Sequence, residues 1–243
     1  MTAKYDTIGK GYRSLRKADP RIERQILRAL EGARRVLNVG AGTGSYEPRD
    51  REVTAIEPSM EMIRQREPSP LATVIQGHAE QLPFEDGSFD ASMAILTIHH
   101  WSDRAAGLME MRRVTRGPVV VLTYDPCARP WLTDYFPELI TLDEEQMPAM
   151  SDYALWLGGE VEVEPVKIPH DCEDGFLHAY WRRPYVYLDE ERRLGSSSFW
   201  RVRSEEGVER LRGELERGEW ASRYGWLLDE EEYDAGYRLI TAS

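Results

Sequence analysis

The residues of this chain best placed to hold a ligand are Gly40, Gly42, Gly44 and Glu57. Val36 to Val39 carry no charge and three apolar side chains, as a strand covered on both faces would. The glycines that follow, with Thr43 among them, let a backbone approach a ligand with no Cβ in the way. Glu57 closes a second apolar run, Val53 to Ile56. A carboxylate at the tip of the neighbouring parallel strand is where the two hydroxyls of a ribose are held, so a nucleoside is the implied ligand.

Spacing narrows the ligand further. A dinucleotide site has the order G-x-G-x-x-G and opens a full helix whose N-terminus carries a pyrophosphate. Here the order is G-x-G-x-G, and only residues 45–52, with Pro48 in their middle, precede the next strand. A crossover of little more than one helical turn fits a ligand with a ribose and no diphosphate, such as S-adenosylmethionine. At this point the chain resembles the class I methyltransferases, in particular the group of the ubiquinone and menaquinone C-methyltransferases. Further motifs carry the resemblance: residues 77–84 as the third motif, residues 88–90 with the apolar run 91–98 as the fourth strand, and residues 108–122 as the following helix and fifth strand.

The resemblance implies S-adenosylmethionine as cofactor and roles for single residues. Met60 would lie against the adenine face, His78 and Ala79 beside the adenine, and Ile95 against the methionine part. His78 departs from the Asp or Asn common in the family. Tyr12 and Arg16, near Tyr5, would form a flap over the cofactor. His99 and His100 end the fourth strand, at the edge where ligands of open α/β sheets sit. A histidine titrates near neutral pH and is a natural proton acceptor, and since adjacent residues diverge, one of the pair should point away; His100 is preferred as the base.

The acceptor side is expected from Tyr124 and Asp125 at the end of the fifth strand and from Trp131 in the lid that follows. His170, His178, Trp181 and Arg182 read either as packing of a cap or as the wall of a pocket for an aromatic or carboxylate-bearing acceptor. Residues 169–176 gather His, Asp, Cys and Glu, yet no second cluster completes four ligands, so no metal is expected. Asp125 could instead cap the next helix.

Positioning these groups requires an α/β, doubly wound Rossmann-like sheet, mostly parallel, with an antiparallel C-terminal strand. Alternating periodicity predicts helices at 20–30, 59–66 and 103–114 and strands at 35–39, 53–57, 72–76, 89–96 and 119–124. Residues 127–158 read as an irregular or partly helical lid, 160–168 as an edge strand, 173–188 as an aromatic helix, 205–217 as a charged helix and 237–241 as the last strand. The 243 residues are read as one methyltransferase domain: an N-terminal helical flap (1–34), a cofactor core (35–126), lid and substrate-facing segments (127–232) and a final strand (233–243). A net charge of −12 offers no footprint for nucleic acid or an anionic membrane, and no leader or membrane-length apolar run is evident. A cytoplasmic enzyme, monomer or homodimer, acting on a small-molecule acceptor is expected. The alternative is a protein that binds S-adenosylmethionine or S-adenosylhomocysteine without methyl transfer.

Overall fold

The least charged runs of the sequence form the middle of one sheet. In the computed structural model, which describes residues 16–243, β1 (Arg35–Val39) and β5 (Val119–Tyr124) are buried along almost their whole length. With β2 (Glu52–Glu57), β3 (Ala72–Gln76), β4 (Ala91–Ile95), β6 (Val161–Pro165) and β9 (Tyr237–Ala242) they make a seven-stranded sheet in the order β3-β2-β1-β4-β5-β9-β6. Strands β1 to β5 pair in parallel, and β9 runs antiparallel to both β5 and β6. This is the doubly wound, Rossmann-like sheet with an antiparallel C-terminal strand. The order reverses between β1 and β4, so the carboxyl ends of these two strands flank the crevice in which such sheets hold ligands.

Side chains alternate between two cores, as the two-residue period of a strand requires. Val36, Met93, Val120 and Leu122 face Ile22, Ile26 and Leu30 from α1 (Pro20–Ala29) and its C-cap. Leu37, Val39, Val119 and Val121 face Leu108, Met111 and Val114 of α3 (Arg104–Val114) together with Tyr153 and Leu157 of α5 (Met150–Leu157). Helix α1 starts where expected: the Asp19 carboxylate accepts from the Arg21 backbone N–H, and Pro20 fills the first position. Helix α2 (Met60–Arg64) is shorter than the expected 59–66.

Three expectations change. Residues 40–51 contain no helix, so the crossover to β2 is a loop. Residues 127–158 hold two α-helices, α4 (Glu138–Gln146) and α5, and α5 packs on α3 as a cover of the sheet rather than as part of a lid. Residues 173–188 are not a helix: turns lead to a 3-10 segment, Pro184–Leu188. Pro184 excludes the helical conformation from the residue before it, and Phe176, Leu177, Ala179, Tyr180 and Trp181 are all buried, leaving no solvent face for an amphipathic helix. The cap also includes a short antiparallel pair of β7 (Ile168–Pro169) with β8 (Glu232–Tyr233), and helices α6 (Glu190–Arg193), α7 (Glu205–Glu216) and α8 (Glu219–Tyr224). Among the described residues no helix is long and apolar enough to cross a membrane.

Candidate active site

The glycine turn closes onto Glu57. Gly40 and Ala41 both donate backbone N–H groups to the Ile56 carbonyl (2.8 and 3.0 Å), which ties the end of β1 to the end of β2. Gly42 then donates to Glu57 Oε2 (2.8 Å), and Ser59 N–H donates to Oε1 (2.8 Å). Both carboxylate oxygens of this buried residue are thereby oriented. Gly40 has φ +70°, and a Cβ there would fall 2.1 Å from Thr97 Oγ1, so only glycine fits between β1 and the end of β4. Gly44 (φ +88°) and the half-buried Thr43 lie on the same turn.

Residues outside the motif brace the turn from below. Arg66 pairs with Glu47 at 2.6 Å and donates to the Gly42 carbonyl, and Asn38 donates to the second Glu47 oxygen (2.8 Å). Both members of the pair are at least nine-tenths buried, so the ion pair is stiff and water-poor. Ser59 caps α2 through Met62 N–H, and it is Met62 that packs beneath Gly42, while Met60 stands 37 % exposed at the surface. His78 is exposed and Ala79 buried at the end of β3. Helix α3 holds that loop: Glu110 accepts from Leu82 N–H, and Arg113 donates to the Phe84 and Leu82 carbonyls.

Beside the turn opens a cavity of about 60 Å³. Leu96, at the end of β4 after the half-buried Ile95, enters its wall with φ +50°, a left-handed conformation that non-glycine residues rarely adopt and that concentrates at functional sites. His99, Tyr124, Asp143, Phe176 and Tyr237 line the cavity, with Gln146 and Ser196 to Ser198 around them. The Tyr124 hydroxyl is buried and has no hydrogen-bond partner among the described residues, and burial raises its pKa far above the usual phenol value. Asp143 is 6 % exposed and its side chain makes no hydrogen bond or ion pair among the described residues; burial pushes its carboxyl up to about 7. His178 lies behind this wall, its ring stacked on Tyr124 (5.3 Å between centroids) and edge-on to Tyr237 (6.0 Å). Full burial lowers its pKa to about 3, so the ring is neutral.

Arg16 reaches the same cavity and is fixed by Asp174, with Nε–Oδ1 at 2.5 Å and Nη2–Oδ2 at 3.2 Å. Tyr46, held at φ +64°, donates its hydroxyl to Asp174 Oδ2 (2.9 Å) and accepts from Asp19 N–H. One buried carboxylate in the cap therefore joins the N-terminal segment to the loop after the glycine turn. Tyr5 and Tyr12 lie outside the described residues.

Several expected acceptor residues stand elsewhere. His99 rather than His100 lines the cavity, and the two rings stay 3.9 Å apart because a 3-10 turn, Ile98–His100, keeps neighbours together instead of diverging. Asp125 accepts from Cys127 N–H and closes a turn; it does not cap the next helical segment, Trp131–Asp134, which starts after Pro130 with no side-chain cap. Trp131 donates to the Trp181 carbonyl within an aromatic cluster with Tyr135, Tyr187 and Trp220, and Trp181 donates to the Ile168 carbonyl; both are core of the cap. Arg182 donates to the Glu230 carbonyl and His170 packs against Glu231, beside the β7–β8 pair. No group of three or more metal-ligating side chains occurs among the described residues.

A family model for the methyltransferase domain matches residues 37–121, the segment that builds the glycine turn, Glu57 and the α3 brace. A ubiquinone/menaquinone biosynthesis C-methyltransferase of Geobacter sp. is 33 % identical over 44 % of this chain and 52 % of its own length. A malonyl-[acyl-carrier protein] O-methyltransferase of Erwinia pyrifoliae is 38 % identical over 37 % of this chain and 38 % of its own. The chain thus spans about half or less of the length of these curated relatives. The likeness extends much further to the crystal structure of a candidate methyltransferase from an antibiotic biosynthesis pathway of Anabaena variabilis: 37 % identity, a TM-score of 0.87, and coverage of 94 % of this chain and 99 % of that one. With the sheet order, the turn and the braced carboxylate, these matches establish that the chain belongs to the class I S-adenosylmethionine-dependent methyltransferases, of the type that includes the ubiquinone and menaquinone C-methyltransferases.

Proposed function

We propose that this chain binds S-adenosylmethionine on the Gly40–Gly44 turn and Glu57, and transfers its methyl group to a small molecule held in the adjoining cavity. The observation that carries this reading is that the two halves of the site meet: Gly40 packs on Thr97, one residue from Leu96 and two from His99, which line the cavity. The residues suit the cofactor, because the cradle at Gly40 admits no Cβ and the two oriented Glu57 oxygens can each accept a ribose hydroxyl. Met60, His78 and Ala79 would bound the adenine, and Ile95 and Arg16 the methionine end. When bound, the cofactor supplies an electrophilic methyl group on a sulfonium.

The chain's own part is to align a nucleophile at near-attack distance and to exclude water. Phe176, Tyr237, Leu96 and Tyr124 furnish apolar walls for that purpose. The acidic net charge disfavours a polynucleotide as acceptor. The curated relatives act on carbon in one case and oxygen in the other, so likeness alone does not choose the atom.

Calorimetry with S-adenosylmethionine and S-adenosylhomocysteine, followed by label transfer from the methyl-tritiated donor to a panel of small acceptors, tests the reading. Glu57→Ala should weaken cofactor binding by about 1–3 kcal/mol, roughly 5- to 150-fold, for loss of a buried acceptor pair. Unchanged affinity in that variant would place the cofactor elsewhere. Selective binding of the demethylated product with no transfer to any acceptor would favour a binding protein over an enzyme.

A further inference from the structure

The acceptor cavity contains one carboxylate with nothing to pair with and one buried hydroxyl in the same state. Asp143 and Tyr124 both line it, on different elements: Asp143 on α4 of the cap, Tyr124 at the carboxyl end of β5. Buried polar groups almost always find partners, and the Tyr124 hydroxyl has none, while the Asp143 side chain lines the same cavity with no hydrogen bond or ion pair of its own, so the wall is suited to a polar group brought by a ligand. We propose that Asp143 is the proton acceptor for a neutral aromatic hydroxyl, a phenol-type acceptor that donates its O–H to this carboxylate while its ring lies among Tyr124, Phe176 and Tyr237. This rests on the reading of the chain as a methyltransferase.

The surroundings of Asp143 select a neutral acceptor over a cation. Arg16 enters the cavity from the N-terminal segment, and Arg129, after β5, acts on Asp143 from outside while pairing with Glu144. The other titratable groups on the cavity are His99, Tyr124 and Tyr237; Gln146 has its oxygen engaged by Arg201. Burial keeps Tyr124 and Tyr237 protonated and holds Asp143 near neutral pH, where it is half ionised and poised to exchange a proton. With the Arg16 charge matched by Asp174, an ammonium group would meet only part of a negative charge at Asp143; a phenol meets a matched acceptor and aromatic walls.

The reaction balances as follows. The hydroxyl oxygen forms its bond to the methyl carbon, the methyl–sulfur bond breaks with its electron pair going to sulfur, and the hydroxyl proton passes to an Asp143 oxygen. The sulfonium charge and the carboxylate charge vanish together, and Asp143 then releases its proton to water. Tyr124 is a positioning residue here, with a hydroxyl able to donate to the reacting oxygen.

The test uses the full chain loaded with S-adenosylhomocysteine for binding and with labelled S-adenosylmethionine for turnover, and phenol, 4-nitrophenol and benzylamine as probes. Phenol should bind at least about tenfold more tightly than benzylamine. Asp143→Asn should lower the phenol transfer rate about 10²- to 10⁴-fold, abolish the fall of kcat/KM below pH 7, and harm the more acidic 4-nitrophenol far less, since that acceptor ionises without help. Tyr124→Phe should weaken phenol binding severalfold and leave S-adenosylhomocysteine binding unchanged. Tighter binding of benzylamine, equal losses for the two phenols, or no phenol binding by a protein that binds S-adenosylhomocysteine normally would overturn this inference alone. Failure to bind S-adenosylhomocysteine would remove the methyltransferase reading and this one with it.

Discussion

At Gly40 the demands of the ligand and of the fold fall on one atom that is absent. The Cβ that any other residue would carry lies within 3 Å of Thr97 Oγ1, Cγ2 and Cβ, and φ is +70°. Two penalties therefore add in Gly40→Ala: about 1–2 kcal/mol for a left-handed dihedral and about 1–3 kcal/mol for forced packing. Urea unfolding should show a loss of about 2–5 kcal/mol. The pair Gly40→Ala with Thr97→Ala should recover the part of the packing share that Oγ1 and Cγ2 cause, leaving the Cβ contact and the dihedral share, so a double-mutant cycle should give a coupling of about 1–2 kcal/mol. Strict additivity would mean that the two residues do not touch. The turn and Glu57 were legible in the sequence because their signal is local: glycines and a carboxylate at fixed spacing after apolar runs. Asp143 was not, because Asp143, Glu144 and Glu145 read as an ordinary solvated stretch and only the fold buries the first of them. Tyr124 was legible as a strand end at the ligand edge, and its orphaned hydroxyl was not.

At the scale of elements, the sheet was legible and the cap was not. Strands such as β5 declare themselves by unbroken apolar runs, whereas residues 173–188 carry aromatics at spacings that match neither period, since each packs on a different neighbour. What attaches that segment to the cofactor half is Asp174, which is 1 % exposed and bound by Arg16 and Tyr46. In Asp174→Asn the shape is kept and the charge is lost, leaving Arg16 as a nearly buried cation without its counter-ion. Removing one partner of such a pair costs about 3–5 kcal/mol. That loss can be relieved by local release of residues 16–18. Limited trypsinolysis should then cut after Lys17 markedly faster than in the wild type, with a smaller change in the global unfolding midpoint. Equal cutting rates would show that the segment is held by something other than Asp174. Such release should also weaken cofactor binding, because Arg16 lines the cavity beside the cofactor turn.

Across the whole molecule, two buried groups in one wall set opposing pH dependences. His178 has its pKa lowered by burial from 6.5 to about 3, so between those values the unfolded chain holds a proton that the native state refuses, and stability falls as pH falls. Asp143 has its pKa raised by burial from 3.8 to about 7, so in its interval the native state holds a proton that the unfolded chain lacks, and stability rises as pH falls. From about pH 6.5 down to about pH 4 the two slopes, each up to ~1.4 kcal/mol per pH unit, cancel. Asp19, whose pKa burial would raise, is instead held down at about 2 by Arg21, so its contribution is lost only below this window. Wild-type stability, measured by urea midpoints at pH 4.5, 5.5, 6.5 and 8, should accordingly vary little over the acidic three. Asp143→Asn removes the stabilising arm on acidification: the variant should exceed wild type at pH 8 and lose that advantage steadily below pH 6.5. His178→Gln should do the reverse, gaining on wild type as the pH is lowered to 4.5. Parallel profiles for the two variants would mean that these groups titrate alike in the folded and unfolded chains. Opposed profiles would mean that the wall behind the acceptor keeps its histidine neutral and its carboxyl protonatable at once, which is the electrostatic state that a phenol and its departing proton require.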